Sequence, residues 1–238
     1  MIILTKSHFP PNPDYKEGAV VLIDKPKGWT SFDIVNKMRY AIRKHYEQKK
    51  FKVGHNGTLD PLATGLLMIF IGKYTKRIPQ EENHDKRYTG TIKLGATTPS
   101  LDLETEEKDF LPVDHIDLSG IKLAMKSFLG ESEQEIPIYS ATKHKGMAMY
   151  KYAREGKVLE PKYKTVNFID IECLSYEKPF IKFDLKCGKG TYVRAFARDL
   201  GKKLNTSAYL YDLRRTKISD YSVNDAIDVN TFCQSFVQ

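Results

Sequence analysis

Cysteine, tryptophan and long apolar stretches are all scarce in this chain. Three cysteines stand far apart, at Cys173, Cys187 and Cys233 of 238 residues. Neither a disulfide framework nor a paired-cysteine zinc motif is expected from such spacing. The histidines (His8, His45, His55, His84, His115 and His144) are equally scattered, and none makes a metal-type i, i+4 pair. The expectation is therefore no metal and no cofactor. No run of 18 apolar residues occurs, which predicts no membrane span. The opening Met1-Ile2-Ile3-Leu4-Thr5-Lys6 is too short an apolar run for a signal peptide. A cytoplasmic protein is the expectation.

Hydrophobic residues make up 41% of the chain and charged residues 29%, as in ordinary globular proteins. The balance of 38 Lys and Arg against 30 Asp and Glu gives a formal charge of +8. A net positive field favours polyanionic partners through long-range attraction and counterion release.

The first 17 residues, with Pro10, Pro11 and Pro13, read as an extended arm. A strand follows at Ala19–Asp24, then a turn at Lys25-Pro26-Lys27-Gly28. Thr30 and Asp33 stand in capping-box spacing before the stripe Ile34, Val35, Met38, Ala41 and Ile42, which predicts a helix from about Ser31 to Tyr46. Leu66–Ile71 is an apolar run suited to a buried strand. Tyr88, Gly90, Ile92 and Leu94 alternate with polar residues, as a half-buried strand should. The stretch 97–112 reads as a long surface loop. Leu118, Ile121, Met125, Phe128 and Leu129 form a helical stripe closed by Gly130. Val166–Tyr176 and Phe180–Cys187 read as a hairpin turning at Pro179. Val193, Phe196, Ala197, Leu200 and Leu204 mark a last helix. One α+β domain is the economical reading.

The most unusual stretch runs from Gly54 to Gly65, Gly-His-Asn-Gly-Thr-Leu-Asp-Pro-Leu-Ala-Thr-Gly. Pro61 biases Asp60 toward an extended backbone, and Gly57 and Gly65 permit close approaches that a Cβ would block. Such a loop can hold one carboxylate rigidly. A simple turn, with Asp60 bonding its own backbone, competes with that reading on local grounds. Gly188-Lys189-Gly190-Thr191 lacks the glycine spacing of a phosphate loop, and Gly190 separates Lys189 from Thr191. Nucleoside triphosphate binding is rejected. Arg194 falls off the apolar stripe of its helix, so a solvated charge is its ordinary reading. Tyr88 on a strand's core face is more often packing than chemistry.

Taken together, these segments resemble the bacterial tRNA pseudouridine synthases of the TruB family. The resemblance rests on Val21-Leu22-Ile23-Asp24-Lys25-Pro26-Lys27-Gly28-Trp29-Thr30-Ser31, on Gly54 to Gly65, on Lys86-Arg87-Tyr88, and on Ile136-Pro137 with Tyr139-Ser140-Ala141. Tyr150, Ala153-Arg154-Glu155-Gly156, Lys189-Gly190-Thr191-Tyr192-Val193-Arg194, Asp199-Leu200-Gly201 and Leu213-Arg214-Arg215 continue it in family order. It implies a pseudouridine synthase fold, a central mixed, mainly antiparallel sheet flanked by helices and loops with a catalytic cleft across it. It also implies a catalytic domain over 18–227, preceded by the arm at 1–17. A tail over 228–238 then stands where many relatives carry an RNA-binding PUA domain. The implied reaction isomerises uridine 55 of the tRNA T-loop, with tRNA as partner, no cofactor, no obligate protein partner and a monomeric state.

Residue by residue, the resemblance makes Asp60 the catalytic carboxylate and Arg194 its ion-pair partner. It makes Tyr88 the ring that stacks on the extruded base and a candidate for removing the C5 proton. Lys25, Tyr192 and Leu213 line the pocket, and His55 helps unstack the T-loop. Whether Asp60 acts as nucleophile or abstracts a sugar proton is left open by sequence. The chain departs from the family pattern at Asn56, at Thr105, and in a shorter Ile136-Pro137-Ile138-Tyr139 segment. Two competitors differ in class: an RNA chaperone without chemistry, and a glycoside or nucleoside hydrolase. The hydrolase requires a second catalytic carboxylate, and Asp60 has no evident partner of that kind in the sequence.

Overall fold

The computed structural model describes residues 2–9 and 14–236. Pro10, Pro11 and Pro13 of the expected arm lie outside them. In chain order the elements are β1 (Ile3–Leu4), β2 (Ala19–Lys25), α1 (Ser31–His45), β3 (Val53–Asn56), β4 (Thr64–Ile71), α2 (Ile78–Glu81) and β5 (Lys86–Leu94). Then come α3 (Leu118–Lys126), β6 (Gly130–Glu135), β7 (Lys143–His144), β8 (Met147–Ala148), α4 (Met149–Arg154), β9 (Tyr163–Glu177) and β10 (Phe180–Cys187). The chain closes with α5 (Val193–Lys203), β11 (Ala208–Ile218), β12 (Tyr221–Ser222), β13 (Ile227–Asp228) and α6 (Val229–Gln234). The chain packs as two compact units. One is Met1–Tyr88 with Arg214–Gln238, and the other is Thr89–Leu213. The chain passes between them within β5 and β11.

The first unit is built on β2 and β4, which pair antiparallel from Ala19 opposite Ile71 to Lys25 opposite Gly65. Both strands are near-continuous apolar runs because both of their faces are covered. On one face Val21, Ile23, Leu67, Ile69 and Ile71 pack with Ile34, Val35, Met38 and Ile42 of α1 and with Phe232 of α6. On the other, Val20, Leu22, Leu66, Met68 and Phe70 meet Ile218, Val223 and Ala226. The sheet is mixed: β3 joins β4 antiparallel, while β1 and β13 run parallel to β2 and the end of β11 runs parallel to β4. The expected arm is thus tied down where it is described, with Ile3 opposite Val20 and with Leu4 and Tyr15 fully buried. The tail expected over 228–238 likewise contains α6, whose Phe232 is fully buried in this core.

In the second unit, β9 pairs antiparallel with β10 and with β6. The hairpin turning at Pro179 is as the sequence predicted. Its core is aromatic: Phe196 of α5 lies 5.2, 5.5 and 5.9 Å, centroid to centroid, from Phe128, Phe168 and Phe183. Each such ring, fully buried, contributes roughly 1.5–3 kcal/mol. α3 ends at Lys126, a turn before the expected Gly130, and Leu118 and Leu129 are exposed rather than part of its buried stripe. Sheets with flanking helices make the protein α+β, as expected. Among the described residues, no helix is long and apolar enough to cross a membrane.

Candidate active site

In the first unit the Gly54–Gly65 stretch divides into the end of β3, a loop from Gly57 to Ala63, and the start of β4. Two glycines make the loop's entry and exit possible. Gly57 has φ +74°, and a Cβ on Gly65 (φ +104°) would lie 2.3 Å from the Arg215 carbonyl oxygen. The loop is then pinned along its length. Ser31, the first residue of α1, accepts a hydrogen bond from the Leu59 N–H (2.8 Å) and donates one to the Leu59 carbonyl (3.1 Å). The Gly28 N–H donates to the Pro61 carbonyl at 2.7 Å, and the Ala63 N–H to the Asp60 carbonyl at 3.1 Å. Arg215 is buried and closes the loop's base. Its Nε donates to the Leu66 carbonyl (2.7 Å) and its Nη2 to the Gly57 carbonyl (3.1 Å).

Lys25 lies beneath the same loop, with no exposed surface. Its Nζ donates to the carbonyls of Trp29 (2.6 Å), Pro26 (3.0 Å) and Pro61 (3.4 Å). Burial pushes its ammonium down to about 8, Asp60 acts against that shift, and Arg215 adds to it. Lys25 and Asp60 therefore feel each other electrostatically. His55 is half-buried on β3. Burial, then the Arg215 guanidinium, holds its imidazole below the usual histidine range, so it is neutral at pH 7. Tyr88 lies buried on β5, in register with the buried Lys86, whose Nζ donates to the carbonyls of Glu82 and His84.

In the second unit Arg194 departs from its local reading as a solvated helix charge. It is buried, not solvated. Its Nη1 donates to the Ser100 carbonyl (2.7 Å), its Nη2 to the Tyr139 carbonyl (2.8 Å), and its Nε lies 3.6 Å from an Asp102 carboxylate oxygen. The physical reason is that segments distant in sequence cover the first turn of α5. For the same reason 97–112 is not simply a surface loop: Thr98, Ser100 and Asp102 are buried, and Thr98 Oγ1 donates to the Asp102 carbonyl at 2.6 Å. Tyr192 immediately precedes α5, with its hydroxyl 3.0 Å from Thr142 Oγ1. Leu213 is buried on β11.

The first unit thus gathers Lys25, His55, Asp60 and Tyr88, and the second holds Tyr192, Arg194 and Leu213. Sequence reasoning gave no role to Arg215, to Asp102 or to the Asp24–Arg214 pair. In that pair the guanidinium donates from Nη1 (3.0 Å) and Nη2 (2.6 Å) to the two carboxylate oxygens. For Asp24 the available signal was a charged residue inside the otherwise apolar run of β2.

Comparison with known proteins bears on this arrangement. The family described as TruB family pseudouridylate synthase (N terminal domain) matches residues 43–193. The chain is 48% identical over 223 residues to tRNA pseudouridine synthase B of Flavobacterium johnsoniae, covering 93% of this chain and 97% of that protein. It is also 48% identical over 223 residues to tRNA pseudouridine synthase B of Chloroherpeton thalassium, covering 93% and 92%. Among solved structures, a chain of a Cbf5-Nop10-Gar1 complex superposes with a TM-score of 0.68 at 25% identity, covering 95% of this chain and 56% of that one. A chain of an H/ACA RNP bound to a substrate RNA containing 2'-deoxyuridine gives a TM-score of 0.64 at 25% identity, covering 93% and 56%. The chain thus spans a little over half of those two structures' chains.

Proposed function

Because the chain belongs to the TruB family of pseudouridylate synthases, we propose that it converts uridine 55 in the T-loop of tRNA to pseudouridine, with Asp60 as the catalytic carboxylate. It is an isomerase that makes pseudouridine in tRNA. The observation that supports the Asp60 assignment is the loop around it, whose backbone is pinned by Ser31, Gly28, Lys25 and Arg215.

The reaction breaks the N1–C1′ bond, rotates the uracil and joins C5 to C1′. The C5 proton leaves and N1 gains one, so atoms balance without a redox carrier or phosphate donor. An ionised Asp60 serves either route, attack on the nucleoside or abstraction of a sugar proton. In this reading Arg194 pairs with Asp60, itself held by Asp102, Ser100 and Tyr139. At about 4 Å and an effective dielectric near 20, such a pair is worth at most about 4 kcal/mol before desolvation opposes it. Tyr88 stacks on the extruded base and is the candidate that takes the C5 proton. Tyr192 and Leu213 line the pocket, and stacking contributes about 1–3 kcal/mol per base. A neutral His55 inserts among T-loop bases at less desolvation cost than an imidazolium. The enzyme acts in the cytoplasm as a monomer.

The test uses unmodified tRNA carrying tritium at uridine C5. Isomerisation releases tritium, keeps the chain length and leaves no abasic site; a hydrolase frees uracil, and a chaperone releases nothing. Asp60→Asn and Asp60→Ala should abolish release while tRNA binding persists. Substantial turnover by either variant would remove Asp60 from its role, and mapping the product elsewhere in tRNA would overturn the position 55 assignment.

A further inference from the structure

β6 is a largely exposed strand with one fully buried side chain, and that side chain is an amide. Gln134 is 2% exposed, while its strand neighbours are exposed or half-buried. A primary amide at such a position is stable only if its donor and acceptor are both met, and here both go to one residue. Gln134 Nε2 donates to the Tyr192 carbonyl at 3.1 Å, and the Tyr192 N–H donates to Gln134 Oε1 at 2.8 Å. The side chain imitates a strand peptide and gives Tyr192 one extra rung of pairing. Two further contacts fix the same tyrosine. Thr142 meets its hydroxyl at 3.0 Å, and Lys164, opposite Gln134 in the β6–β9 register, places Nζ 3.9 Å from its ring centroid while also donating to the Gly190 carbonyl.

We infer that Gln134 is a positioning residue for the reaction, clamping the Tyr192 backbone so that its ring and the first turn of α5 are held in one place. Tyr192 has no side-chain cap of its own at the start of α5. Without the amide, Tyr192 loses its strand-like pairing, and Arg194 begins two residues further on. Lys164 occupies one face of the ring, so a base or ribose stacking on Tyr192 takes the opposite face. This inference rests on the reading of Tyr192 as a pocket residue.

The experiment compares wild type, Gln134→Ala and Gln134→Glu in the tritium assay, with kcat and tRNA affinity measured separately. Displacements near 1 Å at a reacting centre cost up to about 100-fold. Gln134→Ala should therefore lose about 10- to 100-fold in kcat, with tRNA Kd within about threefold of wild type. Gln134→Glu has the same shape and supplies a sharper readout. Ionised, it accepts from the Tyr192 N–H but cannot donate to the Tyr192 carbonyl; protonated, it does both. The charged groups around it are Lys164 across the strand pair, Glu133 beside Thr165, and Glu135 with Arg198. Its activity, taken as a ratio to wild type at each pH, should rise as pH falls from 8 to 5.5. A merely structural role predicts a flat ratio. Variants within twofold of wild-type kcat, a loss confined to tRNA affinity, or a ratio that does not move with pH would each overturn the clamp. If Gln134→Ala fails to fold, the isosteric Gln134→Glu decides alone. Absence of tritium release by the wild type would instead strike at the pseudouridine reading.

Discussion

Arg215 and His55 show what a buried charge does at the scale of single residues. Arg215, 1% exposed, spends its guanidinium on the carbonyls of Leu66 and Gly57, joining the two ends of the Asp60 loop. Its charge also reaches the neighbouring His55, whose Nδ1 is buried with no hydrogen-bond partner among the described residues. The fold therefore favours neutral imidazole, and the folded-state pKa lies below the unfolded value of about 6.5. Below pH 6.5 the unfolded chain binds a proton that the folded chain resists, so stability falls with pH. Between pH 7 and 5 the melting temperature of wild type should drop more than that of His55→Asn. Parallel melting curves for the two proteins would show that His55 has no such role. Asp102 and Arg194 are buried as opposite charges, with the guanidinium also donating to the carbonyls of Ser100 and Tyr139.

At the scale of elements, α1 does two jobs through adjacent residues. Thr30 and Asp33 form a reciprocal cap, with the Asp33 N–H donating to Thr30 Oγ1 (3.0 Å) and the Thr30 N–H to Asp33 Oδ2 (2.8 Å). Ser31 instead reaches across to Leu59 in the Asp60 loop. The two alanine variants should separate these jobs. Thr30→Ala should cost about 1 kcal/mol of stability with kcat intact. Ser31→Ala leaves the Leu59 backbone groups unmet, which costs about 1–3 kcal/mol, and should also lower kcat because the Asp60 loop loses an anchor. Equal kcat values in the two variants would break that distinction. The cap, the stripe of α1 and the apolar run of β4 were legible in sequence because their causes lie within one or two turns of chain. Burial of Arg194 was not legible in the local helical pattern. The groups that cover it, Ser100, Asp102 and Tyr139, are remote in sequence, and helical periodicity sees only a charged residue off the apolar face. The Asp24–Arg214 pair was hidden for the same reason, its partners sitting at opposite ends of the chain.

At the scale of the whole molecule, the sequence marked the Asp60 segment and the α+β class, but not the division into two units. That division depends on β5 and β11, each of which gives residues to both units, and strand periodicity carries no mark of where a contact network changes hands. The charge of +8 is by contrast a property of the entire chain. It acts on a folded RNA at long range and is screened by salt within about 8–10 Å at physiological ionic strength. Phosphate contacts orient an RNA without reading its bases, whereas in the proposed function the isomerisation depends on Asp60 and its close neighbours. Salt should therefore separate binding from chemistry. If about three phosphates are neutralised, log Kd for tRNA should rise against log salt with a slope of roughly 2–3. Meanwhile kcat at saturating tRNA should change less than about twofold between 50 and 200 mM salt, because buried charges such as Arg194 and Lys25 are screened far less than surface charges. Filter binding and single-turnover tritium release over the same salt series measure both quantities. A flat Kd would remove the basic surface from tRNA binding, and a kcat that falls in step with affinity would mean that the reacting groups are exposed to bulk solvent when the RNA is bound.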